Sequence, residues 1–600
     1  MRLQQWIHRL EVGGGTKYVR WLLVVVGFVA VAAIYDLFCF RHFANPEAME
    51  AAQLARNIAH GKGYTTFCVR PFSMKLTRER RADQSALLKE GHRDISNAPV
   101  YPLVLVPLLW ATPEPADLAA MKGGFSVYSP EMFVAFLNQL LLGLGALLLF
   151  RFALGWFNSA VAWMSTILFV LTELYWRFSV SGLSTLLLID LVLLLVWLLS
   201  WFERGHRENA PNGRLFACAA AAGAVTGLAM LTRYSVGWLV VPVMIFTAWC
   251  SLRRRVAFAA TVFVAFAIIA VPWLVRTTVL SGWPFGTATF AVLEETHLFP
   301  HDTLPRSLAP AFTGLPGHRW QLLTGVVDKC VTNVREIITS ELPRLGGTWL
   351  SAFFLVGLLV RFQNVNLNRL RWFVVGALVM MIPVQALART HLSAEVPQVN
   401  SENLLVLFSP LVLVFGVGLF FVLFESWALP TPALRYGVMA GFALLMSLPL
   451  LLTFVPPRPR PVSAPYFPPR IQQFAHYLNE SEMLMSDVPW AVAWYGERQS
   501  VWVTMNWRTE FFEISDYQKV VNGLYISTRT TDRKFLSSWF GGENQGWGAF
   551  LLQTFVVRQV PDGFPLKHSP EGLFANGELL LVDRDRWSTP QRREESLKKD

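Results

Sequence analysis

The chain has 600 residues, of which 53% are hydrophobic and 16% charged, with a mean hydropathy of +0.39. That composition excludes a soluble multidomain protein, and the length excludes a simple membrane anchor, leaving a polytopic membrane protein. The net charge of +11 sits in short loops between apolar runs, as membrane topology requires, so no nucleic acid partner is expected.

A span needs about 20 mainly apolar residues. The sequence predicts about eleven spans, near 18–40, 131–151, 158–176, 184–202, 215–231, 235–251, 256–276, 347–361, 372–388, 403–424 and 436–455. Tyr18 to Phe40 is longer than a signal-peptide core and no small-x-small cleavage site follows it, so it reads as a retained span. Basic residues mark every second connection: Arg2, Arg9, Lys17 and Arg20; Arg151; Arg204, Arg207 and Arg214; Arg253 to Arg255; Arg361, Arg369 and Arg371; Arg435. This alternation predicts a cytoplasmic N-terminus, a multi-pass inner or plasma membrane location and an extracytoplasmic C-terminal region.

After the first span, residues 45–60 predict a helix at the membrane surface, with Asn45 as N-cap, Pro46 at the first position and Gly61 as the stop. Glu47, Glu50, Leu54 and Asn57 share one face, opposite an alanine-rich side that should lie against apolar surface. The apolar run 99–111 is short and contains three prolines, which suits an interfacial or re-entrant segment.

Three external regions are long: 41–130, 277–346 and 456–600. The membrane module is therefore read as 1–455. Seven prolines between 456 and 469 make a semi-rigid linker, and 470–589 alternates helix-like and strand-like runs as a small α/β domain would. Residues 590–600 are charged and expected to be disordered. Five cysteines without metal or redox spacing are expected as unpaired thiols. Asp190 lies among leucines in the fourth span, where a charge costs about 2.5 to 3.5 kcal/mol, so it should face protein beside a polar neighbour or be protonated.

A carboxylate at the membrane surface can take a proton from a hydroxyl acceptor, and Glu47 and Glu50 both qualify; an acid in the first turn of a helix is equally explained by the helix dipole. The segment NPEAMEAAQLARNIAHGKGYTT followed by NAPVYPLVLVPL resembles the first external loop of GT-C membrane glycosyltransferases, the group of protein mannosyltransferases and aminoarabinose transferases. GLAMLTRYSVGWLVVP (227–242), AVPWLVRTTVLSGWPFG (270–286), ENLLVLFSPLVL and SDVPWAVAWYGERQSVWV are similar to further segments of that family, in the same order.

The resemblance implies a helical membrane bundle with a C-terminal extracytoplasmic α/β domain, and a glycosyltransferase using a polyprenyl-phosphate sugar donor. The acceptor would be a lipid, glycan or protein. It further implies Glu47 or Glu50 as base, Arg233, Arg276, Arg389 and His391 for the donor phosphate, and Asn57, Tyr64, Tyr101 and Glu173 around the groove. No cofactor is required, although Glu294, Glu295, His297, His301 and Asp302 could ligate a divalent metal. The chain departs from the family pattern in three places. The first-loop Asp falls on Glu47, the acid of the Ser-Gly-Leu-Ser-Glu segment is replaced by Thr185, and Glu402 and Asn403 stand where Arg-Tyr is expected, removing one phosphate contact. A transporter or lipid flippase, and a noncatalytic scaffold, are the alternative readings.

Overall fold

The computed structural model describes residues 15–80, 88, 91–112, 127–251, 253–310, 319–345, 348–359, 365–427, 431–456, 464–531, 545–570 and 577–587. Half of the proline linker, at 457–463, and the charged tail lie outside these residues.

Among the described residues, eight helices are long and apolar enough to cross a membrane: Trp21–Cys39, Ser129–Trp156, Thr185–Arg207, Asn212–Thr232, Arg255–Ser281, Leu367–Ala388, Pro397–Ser426 and Pro432–Phe454. Ser159–Val170 and Glu173–Val180 form a ninth only as a pair bent by 49°. The chain is a multi-pass membrane protein with a helical bundle; of the about eleven expected spans, eight, or nine with the bent pair, are long enough to cross among the described residues. The expected span 158–176 breaks at Leu171–Thr172, where the Trp176 indole donates to the Val170 carbonyl. The run near 235–251 begins as a 3-10 turn and gives the short helix Tyr234–Cys250. Thr348–Leu359 is 12 residues long. The segment expected as re-entrant is the 12-residue helix Val100–Ala111, about 18 Å of rise against a hydrocarbon core of about 30 Å.

The first-loop helix, Pro46–Ala59, starts and stops where its capping residues predict, with Gly61 left-handed at φ +74°. Its surroundings differ from expectation. Instead of lying on apolar surface with a wet polar face, it is enclosed, and Glu50, Gln53, Arg56 and Asn57 are all buried. Most of their polar atoms are met by protein: the Gln53 oxygen accepts from Thr66 and Phe67 while its Nε2 has no partner among the described residues, and Asn57 donates to the Thr65 carbonyl at 2.8 Å. The Arg56 guanidinium stacks 3.8 Å above Trp494 and donates to the Trp494 carbonyl at 2.9 Å.

That stacking joins the first loop to the C-terminal α/β region, and a strand completes the joint. The five-stranded sheet comprises β1 (Cys68–Val69), β2 (Met483–Ser486), β3 (Gln499–Trp502), β4 (Val521–Ile526) and β5 (Leu579–Val582), in the order β1-β3-β2-β4-β5. The first four run parallel and β5 is antiparallel. Four strands fall on the runs expected from sequence; the edge strand β1 comes from the first loop, pairing Cys68 with Ser500 and Val69 with Val501. Glu131, fully buried at the start of Ser129–Trp156, accepts from the Phe43 amide, the Trp494 indole at 2.9 Å and the Tyr495 hydroxyl at 2.6 Å. One carboxylate thereby holds the exit of the first span, the second span and the α/β region together.

The carboxyl ends of the parallel strands face the membrane module. Beyond β3, Arg306 donates to the carbonyls of Val503 at 2.8 Å and Thr504 at 3.2 Å, and Trp502 packs against His391. Beyond β4, Arg529 pairs with Glu395. Asp190 does face protein, against Gly145, but neither carboxyl oxygen has a hydrogen-bond partner, so the polar neighbour is missing among the described residues. All five cysteines are free thiols.

Candidate functional site

The first loop, the membrane helices and the loops beneath the sheet enclose a cavity of about 710 Å³. Trp238, Met380, Val384 and Leu387 form an apolar wall; Ser96, Ser184, Thr287 and Thr289 contribute hydroxyls; Tyr101, Tyr234 and Phe285 contribute rings. Its charged lining comes from five separate parts of the chain: Glu47, Arg70, Arg233, Glu294, and His391 with Glu402.

Glu47 and Glu50, on one helix face and equivalent in the sequence, have different surroundings. Glu47 reaches the cavity, where its Oε1 accepts from Arg233 Nη2 at 3.2 Å. Arg233 is presented by a local device. The helix Asn212–Thr232 ends at it in extended backbone (φ −151°, ψ 117°). Its Nη1 donates to the Ser401 carbonyl at 2.6 Å. Glu50 lies behind the cavity wall, 1% exposed, with both oxygens on Arg70 Nη2 at 2.6 and 2.8 Å and one on Asn97 at 3.1 Å. Arg70 itself lines the cavity and had no signal in the sequence beyond its charge.

The four cations expected at the phosphate divide two and two. Arg233 and His391 line the cavity. Arg276 does not: it lies between the rings of Trp273 and Tyr64 and donates to the Asp94 carbonyl at 3.1 Å, fastening the first loop to a span end. Arg389 is also turned away, held by Glu336 at 2.8 Å and by Glu341. The expected groove residues separate as well. Tyr101 lines the cavity and donates to the Gly182 carbonyl at 2.9 Å. Asn57 and Tyr64 brace the loop, Tyr64 through the carbonyls of Asn97 and Ala98. Glu173 pairs with Arg177 at 2.7 Å outside the cavity, so Glu173 does not stand in for the acid absent at Thr185.

His391 Nδ1 lies 3.1 Å from Glu294. Burial alone disfavours its charged form, but Glu294, followed by Asp302 and Glu395, outweighs burial and raises its pKa. Glu402, in sequence only a lost contact, proves to be a buried cavity carboxylate that accepts from the Thr390 amide at 2.9 Å and hydroxyl at 2.7 Å.

The metal candidates do not gather. Glu294 is committed to His391, Asp302 to Arg306 at 3.0 Å, and His301 stands 3.9 Å from Glu295, while His297 packs on Gly325. Among the described residues no three His, Cys, Asp or Glu side chains are placed to hold a metal ion. Asp302, half-buried, is kept at a pKa of about 2 chiefly by Arg306, against the opposing effect of desolvation, which suits an ion-pair partner.

No family model matches the chain, and no curated protein sequence matches it. Among solved structures it resembles archaeal oligosaccharyltransferase AglB from Archaeoglobus fulgidus, in complex with an inhibitory peptide and a dolichol-phosphate: TM-score 0.51, 10% identity, covering 87% of this chain and 71% of that one. It also matches ArnT from Cupriavidus metallidurans in the apo state, with TM-score 0.41, 13% identity, and coverage of 96% and 100%. With its helical membrane bundle, long inter-helix loops and appended α/β sheet, the chain shares the fold of AglB.

Proposed function

We propose that the protein is a membrane glycosyltransferase that moves a sugar from a polyprenyl-phosphate donor to a hydroxyl acceptor on the external face. The observation that carries this reading is the Glu47–Arg233 pair in a cavity lined by apolar helical residues together with hydroxyls and rings. Apolar lining suits a lipid tail, and hydroxyls with aromatic faces suit a sugar. The fold neighbour AglB was solved with a dolichol-phosphate, which supports a lipid-linked donor. Alternation of basic loops supports the external placement and a cytoplasmic N-terminus.

In this reading Glu47 accepts the proton of the acceptor hydroxyl as that oxygen bonds to the anomeric carbon. The bond from that carbon to the phosphate oxygen breaks, and its electron pair leaves on the polyprenyl phosphate. Arg233, Arg70 and protonated His391 meet the charge that develops there. Attack opposite the departing phosphate inverts the anomeric centre. Arg276 and Arg389 act at a distance, by holding the loops that shape the cavity.

Transfer of radiolabelled sugar from a polyprenyl-phosphate carrier by the full chain in proteoliposomes tests the proposal. Covalent transfer lost in Glu47→Gln is expected; carrier movement across the bilayer without transfer would overturn it in favour of a transporter.

A further inference from the structure

One helix carries two Glu–Arg pairs a single turn apart, and they are built differently. Glu50 and Arg70 are side chains exposed by 1% and 14% with contacts of 2.6 and 2.8 Å, a closed arrangement with a further bond from Asn97. Glu47 and Arg233 are exposed by 27% and 18%, meet through one contact of 3.2 Å, and both face the cavity. Charge-assisted bonds of good geometry are about 2.7 to 2.9 Å long. The second pair is thus the looser one and lies open to whatever enters.

Arg233 is also tethered independently of Glu47. Its Nη1 stays on the Ser401 carbonyl at 2.6 Å, so Nη2 can change partner while the guanidinium remains in place. The Ser401 carbonyl is itself fixed, because the next residue, Glu402, is held by the amide and hydroxyl of Thr390.

We propose that the Glu47–Arg233 contact is a mask: a lipid-linked phosphate entering the cavity takes Arg233 Nη2, and only then is the Glu47 carboxylate free to accept a proton from an acceptor. This rests on the donor reading above and adds an order to it, donor before acceptor. The exchange keeps Arg233 neutralised and adds one negative charge to the cavity. Arg233 gives up one anion and gains another, and Glu47 is left as an unpaired carboxylate beside the newly bound phosphate. An acceptor alone meets a carboxylate whose Oε1 is already engaged by Arg233, so the acid stays idle until there is a sugar to transfer. Glu50 undergoes no such exchange, because it lies behind the wall with both oxygens on Arg70 and one also on Asn97.

The test uses the full chain in detergent or nanodiscs, a hydrophobic carbodiimide that modifies accessible carboxyl groups, and peptide mass spectrometry to read Glu47 and Glu50 separately. Undecaprenyl phosphate is the phosphate-bearing probe and undecaprenol, with the same tail and no phosphate, its control; binding is followed in parallel by native mass spectrometry. Saturating undecaprenyl phosphate is expected to raise Glu47 modification on the order of tenfold, with undecaprenol without effect and Glu50 unchanged. Arg233→Gln should show fast Glu47 modification with or without lipid, and the wild-type comparison stands if that variant does not fold. Binding of undecaprenyl phosphate with Glu47 modification unchanged or reduced overturns the mask and leaves the donor reading standing. Failure of undecaprenyl phosphate to bind overturns both.

Discussion

Glu47 and Arg233, 186 positions apart, meet at 3.2 Å on the wall of one cavity. The sequence offered two carboxylates one turn apart as the base, and this contact separates them. Glu47→Gln is expected to lower the rate of sugar transfer by about 10²- to 10⁴-fold, the usual contribution of a general base, while leaving the thermal midpoint nearly unchanged. Single-turnover transfer in proteoliposomes, set beside melting of the same preparation, checks both halves.

Glu50 should behave in the opposite way. Its carboxylate holds Arg70 with both oxygens and receives Asn97, so Glu50→Gln removes a charge-assisted partner from a nearly closed site. The expected loss is about 2 kcal/mol of stability, with KM for the donor raised through a misplaced Arg70 and kcat changed far less. A Glu50→Gln variant with wild-type melting and wild-type donor KM would show that the Arg70 pair does neither job.

The union of first loop and α/β sheet rests on Arg56, which stacks on Trp494 and bonds to its carbonyl and to Glu497. Arg56→Ala should cost about 2 kcal/mol and make the C-terminal region a target for limited proteolysis, while Arg56→Lys should recover part of the loss by keeping the charge over the ring. Digestion of the three proteins side by side reads this directly.

Asp94 makes the stability of the first loop depend on pH. Burial raises its pKa to about 6 despite the Asn97 amide that favours its ionised form, whereas in the unfolded chain it ionises near about 3.9. The folded chain therefore keeps a proton that the unfolded chain releases. The resulting stabilisation is greatest below about pH 4, falls as pH rises to about 6, and is level above that. Melting midpoints across this window should fall with rising pH for the wild type, against the background of other groups, and the slope should be shallower in Asp94→Asn.

Gly286 follows the Trp-Pro-Phe turn beside the cavity in left-handed backbone at φ +54°, and a Cβ there would lie 1.9 Å from the Ile95 carbonyl oxygen. Gly286→Ala should destabilise by at least about 2 kcal/mol. Gly213, in the first turn of Asn212–Thr232, has nothing within 4 Å of an added Cβ, so Gly213→Ala should be neutral or stabilising by up to about 1 kcal/mol. Paired melting curves decide it.

Much of the architecture was legible because it is written locally. Apolar runs place all the long membrane helices, Pro46 and Gly61 bracket the first-loop helix, and the short β-branched and apolar runs after residue 480 coincide with β2 to β5. Where a local signal was absent the reading failed: nothing in Cys68–Val69 marks an edge strand for a sheet more than four hundred residues away. Arg276 and Arg389 show the same limit, since an arginine at a span end looks alike whether it faces a cavity, a pair of rings or two glutamates.

By itself the sequence determined a membrane protein of many helices, a capped helix bearing acids after the first span, and the strands of a small appended sheet, because periodicity and capping act over a few residues. Only the tertiary structure decided that Glu47 faces the cavity while Glu50 is sealed behind Arg70, and that Glu402 and Arg70 join the lining. Both glutamates share a face of one helix; what distinguishes them is which distant guanidinium the folded chain brings to each, and a helical repeat of 3.6 residues carries no information about that.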